Sequence, residues 1–258
     1  GRNEDGVPMN QPPLLRNLAF DSILGGVKLI AEAWDAGGLY QVGSFPAWKR
    51  WAEWNGRYRD DMRCFLKGDP NMARIAAQRM IGSPDLYDPV YRGGNASVNF
   101  ITCHDGFTLY DLYSYNQKHN EANGWGNTDG FDDNNSWNCG QEGDTDDEAI
   151  LSLRWKMIKN ACTVLMCSRG TPMFLSGDEF GDTRYGNNNP YCQDNEISWL
   201  DWSLLEKNQD IFDFFRFMIA FRMEHPAIRK DLEPSYIGFP SMSRHGLGPW
   251  EPDAPESQ

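Results

Sequence analysis

The chain has 258 residues, which at ~150 residues per domain is one large domain or two small ones, long enough to bury a core without disulfide staples. Lys+Arg 24 against Asp+Glu 37 gives a formal net charge of −13. That sign excludes nucleic acid and anionic membranes as favoured partners, while 13% aromatic residues excludes a disordered chain. Residues 12–24 (PPLLRNLAFDSIL) read as a helix, opened by proline and closed at Gly25-Gly26. Val27 to Ala31 predicts a short buried strand ending at Glu32. Trp51-Ala-Glu-Trp-Asn55 alternates with period two and predicts a second strand. Arg57 to Leu66 predicts a helix whose mixture of Arg57, Arg59, Asp60, Asp61 and Arg63 is most simply a solvated face of i,i+4 pairs. Asn71 to Ile81 predicts another helix. Ser97 to Cys103 predicts a third strand, ending at His104-Asp105.

From Gly106 to about Asp144 the chain is polar and punctuated by Gly and Asn, and loops that long in a compact domain are usually functional. Thr145-Asp-Asp-Glu148 has capping-box spacing. It opens a helix with apolar Ile150, Leu151, Met157, Ile158, Ala161, Cys162 and Leu165, ended by Gly170. Thr171 to Ser176 predicts a fourth strand, followed by Gly177-Asp178-Glu179 and a polar loop to Trp202. Ile211 to Phe221 predicts a helix stopped by His225-Pro226, and no periodicity survives beyond Asp231.

Strands alternate with helices, and polar or acidic groups follow each strand. This predicts an α/β fold with a parallel sheet and helices outside, either a (β/α)8 barrel or an open doubly wound sheet. A whole barrel spends ~31 residues on each of eight units; here four strands occupy most of the chain. Long strand-end loops and half of a barrel together account for that.

The six cysteines (Cys64, Cys103, Cys139, Cys162, Cys167, Cys192) include no CxxC pair, against a zinc or thioredoxin site. Several lie in apolar runs, where free cysteine acts as a small hydrophobe, and the favoured setting is reducing and cytoplasmic. No run is long and apolar enough for a membrane span, and residues 1–20 lack a signal-peptide centre. HExxH, P-loop and strand-borne GxGxxG motifs are absent, and Ser176 lacks the glycines of a nucleophile elbow. Asp129, Asp132 and Asp133 lack EF-hand spacing; solvated loop carboxylates are the preferred reading, with a bound calcium the alternative. No other metal is expected.

What remains is Glu32 and Asp105, each just beyond a predicted strand. A barrel would place them two strands apart at one mouth. Glycoside hydrolysis needs two carboxyl groups flanking the scissile bond; helix capping or an arginine partner is the plainer alternative. Trp34, Tyr40, Trp48, Trp125, Trp137 and Tyr191 lie in loops after strands, as do Asn116, Gln117, Asn120, Asn123, Asn134, Asn138 and Asn187 to Asn189. Flat aromatic faces suit the CH face of a sugar, and amides serve its hydroxyls. Singly, each also fits loop packing.

Ile30-Ala-Glu-Ala-Trp-Asp-Ala-Gly-Gly-Leu-Tyr-Gln-Val-Gly-Ser-Phe45 resembles the fifth-strand motif of isoamylase-type debranching enzymes in glycoside hydrolase family 13. Val98-Asn-Phe-Ile-Thr-Cys-His-Asp-Gly-Phe-Thr-Leu109 resembles their seventh-strand motif. Glu53-Trp-Asn55, Ser136-Trp-Asn-Cys-Gly140, Pro172 to Glu179 and Gly186 to Trp199 match in order, and Phe239-Pro240 and His245-Gly246 echo the link to a C-terminal sandwich.

The resemblance implies strands five to eight of the barrel over residues 1–230, and an irregular linker over 231–258. It implies Glu32 as general acid/base, Asp105 as the transition-state-stabilising carboxylate and His104 as a ligand of a sugar hydroxyl. Trp34 and Asp35 would line the groove, and Tyr40, Trp137, Asn187 and Tyr191 are further substrate-binding candidates. The implied reaction is retaining hydrolysis of α-1,6 branch linkages in glycogen, amylopectin or limit dextrins, which needs no organic cofactor. The family's nucleophile is an Asp in a Phe-Arg-Phe-Asp-like motif ending the fourth strand. No such motif occurs here, and Gly1-Arg-Asn-Glu-Asp-Gly6 resembles the segment just downstream of it. The expectation is therefore a fragment inactive alone, its nucleophile upstream. Two alternatives stand beside it: a non-catalytic half barrel that binds glucan or self-associates through open edges, and an α-1,4-acting amylase or transglycosylase of the same fold.

Overall fold

A computed structural model describes residues 1–88 and 90–230; the linker expected at 231–258 lies outside the described residues. Four parallel strands run in the order of the chain: β1 (Leu29–Ala31), β2 (Trp51–Trp54), β3 (Ser97–Phe100) and β4 (Thr171–Met173). Leu29 pairs with Trp51, Glu53 with Ser97, and Val98 with Thr171. Sequential parallel order requires a crossover between each pair. The first is the non-helical segment 32–50 between β1 and β2; the others are supplied by α2 (Gly56–Lys67) and α3 (Ala73–Met80) after β2, and by α4 (Leu109–Leu112) and α5 (Glu148–Cys167) after β3. The N-terminal α1 (Pro13–Phe20) precedes β1, while α6 (Ser203–Lys207), α7 (Gln209–Glu224) and α8 (Pro226–Arg229) follow β4. All four strand C-termini therefore face the same way, and every loop that follows a strand reaches one mouth.

The main core fills the space between β3 and helices α2, α5 and α7, with Tyr58, Met62, Phe107, Ile158, Ile211 and Phe215 fully buried. A smaller cluster under the loop after β1 contains Ala31, Ala33, Val42 and Phe45. Burial is deepest in the centre of the sheet. All of β3 is buried, whereas Val27 and Ile30 around the edge strand β1 are 49% and 43% exposed. The expected buried first strand is thus half covered, because it has a hydrogen-bonded neighbour on one side only. The sheet also curls: Lys28 Nζ, just before β1, donates 2.8 Å to Thr171 Oγ1 at the start of β4.

Two local expectations change. The cap of α5 is Asp147, whose carboxylate accepts from the N–H groups of Ala149 and Ile150. Thr145 is drawn back into the loop, its hydroxyl donating to Gln141 Oε1 at 3.0 Å. The charged face of α2 is only partly solvated: Arg63 is buried and donates to the carbonyls of Ile101 and Asn134.

Candidate active site

The chain leaving β1 folds into a tight hairpin. Asp35 N–H donates to Leu39 O at 2.9 Å, Gln41 N–H to Ala33 O at 2.7 Å, and Gly38 takes the positive φ of the turn. The hairpin brings the rings of Trp34 and Tyr40 into a stack with centroids 5.9 Å apart and planes 18° from parallel. Gly56, the first residue of α2, makes room for this wall; a Cβ there would lie 2.7 Å from the Tyr40 hydroxyl. Glu32 stands exposed at the foot of the hairpin.

The chain leaving β3 is clamped from two sides. Arg63 grips the Ile101 carbonyl with Nε at 2.9 Å and Nη2 at 2.6 Å. Buried Asp178 accepts from the Thr102 hydroxyl and from Leu109 N–H at 2.8 Å. The His104-Asp105 turn follows, with Gly106 at positive φ and its N–H donating to Asn188 O at 3.0 Å. The His104 ring lies against Trp54, centroids 5.5 Å apart, and its Nε2 is 3.5 Å from Asp105 Oδ1.

These two strand ends converge. A carboxylate oxygen of Glu32, a ring nitrogen of His104 and a carboxylate oxygen of Asp105 all lie within 4.8 Å of one another. Among the described residues this is the one group of His, Cys, Asp and Glu placed closely enough to hold a cation. It opens on a cleft of about 620 Å³ lined by Glu32, Trp34, Tyr40, Arg59, Asp105 and Phe131. Two acids and an imidazole beside a flat aromatic wall can protonate one oxygen, hold hydroxyls and face an apolar ring surface. Asp129, Asp132 and Asp133, the calcium alternative, take separate partners: Asp129 accepts from Asn123 and Asn189, Asp132 pairs with Lys118, and Asp133 accepts from Asn135 N–H.

The charged groups around the cleft are set by their surroundings. Burial, helped by Arg59, pushes the Arg63 guanidinium down to about 10. Burial likewise raises the Asp178 carboxyl to about 6. Arg2 first, then the Leu39 N–H, hold Asp35 down at about 2.

The other expected residues divide. Tyr40 lines the cleft. Asp35 also lines it, but its carboxylate is spent on Arg2 and the hairpin turn. Trp137 turns inward and packs against the main core. Asn187 is 1% exposed and donates to Asn123 Oδ1 at 2.9 Å, so it joins two loops rather than facing a groove. Tyr191 is exposed but outside the cleft lining, its hydroxyl accepting from Trp125 Nε1 at 3.3 Å. Arg59 and Phe131 were not expected. Arg59 lies one helical turn after the Asn55 cap that ends β2, a position that a strand-to-helix junction directs toward the mouth.

No protein-family profile matches the chain. Its sequence relatives are informative. Isoamylase 3, chloroplastic, of Oryza sativa subsp. japonica is 55% identical over 231 residues, 89% of this chain and 30% of the relative. The chain is a homologue of the isoamylase-type debranching enzymes. A glycogen operon protein GlgX homolog of Mycobacterium tuberculosis is 54% identical over 211 residues, covering 81% of this chain and 29% of the relative. The glycogen debranching enzyme of Serratia proteamaculans is 47% identical over 221 residues, 85% and 33% respectively. The chain thus spans about a third of the length of these relatives. Among solved structures, the pullulanase of Paenibacillus barengoltzii aligns with a TM-score of 0.60 at 21% identity, over 88% of this chain and 34% of that one. The pullulanase of Bacillus acidopullulyticus aligns at 0.58 and 24%, over 81% and 24%. These likenesses bear on fold, and they agree with a four-stranded parallel part of a (β/α)8 barrel.

Proposed function

We propose that this chain carries the acid/base side of a glycosidase that cleaves α-1,6 branch linkages in glycogen, amylopectin or limit dextrins. The observation that carries the reading is the convergence of Glu32, His104 and Asp105 at the mouth, in a chain 55% identical to an isoamylase over most of its length. Glu32 protonates the bridging oxygen as the bond to the anomeric carbon breaks, and its carboxylate then takes a proton from the attacking water. Asp105 opposes the positive charge that develops on the ring, and His104 Nε2 serves a sugar hydroxyl. Trp34 and Tyr40 offer their faces to the sugar. A retaining cycle also requires a nucleophilic carboxylate besides these two, and within the described residues the cluster contributes Glu32 and Asp105 only.

The test is reducing-end release from glycogen and from linear amylose by the protein that carries this sequence. Glu32→Gln should lower release from glycogen by at least about a thousandfold, while linear amylose is left unshortened by the parent. Undiminished turnover in Glu32→Gln refutes the assigned acid; shortening of amylose favours the α-1,4 reading.

A second reading is glucan binding or self-association without turnover. The half-covered edge strand β1 favours it. Light scattering of the 258-residue chain separates a dimer from a monomer. The compartment we propose is a reducing one, cytoplasm included: all six cysteines are free thiols.

A further inference from the structure

Outside the cleft, the structure presents two large aromatic rings whose exposure serves no packing role. Trp125 is 61% and Tyr191 69% exposed. They come from different loops, one after β3 and one after β4, yet Trp125 Nε1 donates to the Tyr191 hydroxyl at 3.3 Å. The two side chains are therefore joined through their polar tips while most of each residue stays exposed.

The mounting is rigid. Asn120 Nδ2 donates to Asn188 Oδ1 at 2.8 Å, and Asn188 N–H returns a bond to Asn120 Oδ1 at 3.0 Å. Asn123 Nδ2 donates to Asn189 O at 2.9 Å, while its Oδ1 accepts from both Asn187 and Gln193. Asn120, Asn187 and Asn188 are fully buried. Burying so many amides is stabilising only because each is paired with another. The result is that two loops hold two rings in a fixed relation, and binding to them costs little ordering entropy.

The mounting also leads to the cleft. The Asn188 carbonyl accepts from Gly106 N–H, next to Asp105. Asn188 Nδ2 donates at 2.8 Å to the carbonyl of Phe131, whose ring lines the cleft with Glu32. Phe131 and Trp125 belong to the same loop after β3, so the loop that carries Trp125 also lines the cleft.

We propose that Trp125 and Tyr191 form an outer platform for a linear α-1,4-glucan segment, the chain that flanks the branch point. This deepens the reading above and rests on it for the identity of the ligand. Two exposed rings held together through their polar tips, on loops rich in asparagine, match the alternating CH faces and hydroxyl edges of consecutive glucosyl units better than they match a hydrophobic protein surface. The platform would favour longer branches, since a short one cannot reach from the cleft to the second ring.

The experiment is isothermal titration of maltoheptaose into the purified 258-residue chain, with circular dichroism melts as the control on folding. Trp125→Ala and Tyr191→Ala should each weaken binding about tenfold, and Trp125→Phe should recover most of the loss because it restores a ring face. Alanine variants that fold normally and bind within twofold of the parent overturn the proposal; so does a Trp125→Phe variant as weak as Trp125→Ala, since the indole's hydrogen bond would then be what matters. The test is separable from that of Glu32. Loss of hydrolysis in Glu32→Gln with unaltered binding in Trp125→Ala removes the platform alone. Weakened binding in Trp125→Ala with full activity in Glu32→Gln removes the assigned acid alone.

Discussion

Arg2 holds Asp35 at two points, Nε to Oδ2 at 2.7 Å and Nη2 to Oδ1 at 3.1 Å. The pair ties the first residues of the chain to the hairpin that carries Trp34 and Tyr40. Arg2→Ala should let the Asp35 carboxyl rise from about 2 toward its ordinary value of 3.8. Because the folded state lowers this pKa, the stabilisation is present above about pH 4 and is lost as pH falls through about 2. Carbon-detected NMR titration of the aspartate carboxyls reads the shift directly; an unmoved Asp35 would contradict it.

Glu53 is fully buried, its carboxylate accepting from Gly43 N–H at 2.6 Å and paired with Arg92 at 2.7 Å. Burial raises its pKa in spite of those partners. Removing one member of a buried pair strands the other charge, so Arg92→Ala should cost about 3–5 kcal/mol. Adding Glu53→Gln to that variant should recover part of the loss, because the stranded charge is gone. Urea unfolding of the single and double variants decides it; a double variant weaker than the sum of the singles would be the wrong outcome.

All three groups around the Asp178 carboxylate are donors: the Thr102 hydroxyl, Leu109 N–H and Leu175 N–H. Asp178→Asn keeps the shape but turns an NH2 toward one of them. The expected loss is about 1–3 kcal/mol. Urea unfolding should show it larger than the loss from Asp213→Asn, whose side chain is 46% exposed and paired with Arg216.

Burial raises Asp111, Asp178 and Asp182 each to about 6. A carboxyl whose pKa is raised on folding contributes stability that is full below its unfolded value and lost as pH rises through the folded one. These three therefore favour the folded chain increasingly as pH falls from 7 toward 5. The lowered carboxyls Asp35 and Glu142 act in the opposite sense, at lower pH. Urea midpoints should hold or rise between pH 7.5 and 5.5, and a steady fall across that interval would refute the assignment.

Gly56→Ala sets helix propensity against the site. Alanine favours the helix by up to ~1 kcal/mol, yet its Cβ would press the Tyr40 hydroxyl from 2.7 Å. The variant should keep or gain thermal stability, while in the protein that carries this sequence KM for glycogen, the proposed substrate, rises about three- to tenfold. Equal losses of stability and affinity would point to a purely structural role for Gly56.

The elements themselves were legible because their signals are local. The Trp51-Ala-Glu-Trp54 and Ser97-Val-Asn-Phe100 runs and the His225-Pro226 stop each carry their strand signal or breaker within a few residues. The position of Glu32 at the mouth was legible for the same reason, since it directly follows β1, whereas Asp105 lies five residues beyond the end of β3 and approaches Glu32 through the clamped segment from Ile101 to His104. Side chains whose partners lie far along the chain were not. Arg63 reads as a surface charge until the carbonyls of Ile101 and Asn134, 38 and 71 residues away, receive it. Asn187 reads as a sugar ligand until Asn123, 64 residues away, takes its amide. Trp137 looks like one more loop aromatic, and only the packing of the core against it shows otherwise.

The bond from Lys28 to Thr171 links the two outermost strands through a single side chain. A sheet whose first and last strands can be spanned by one lysine has the cross-section of a gutter. Flat sheets grow into fibres by laying identical faces against each other and adding strands in one plane. A gutter offers no plane to copy, so pairing at the half-covered edge of β1 stops at a second copy meeting it edge to edge and does not extend into a stack of sheets.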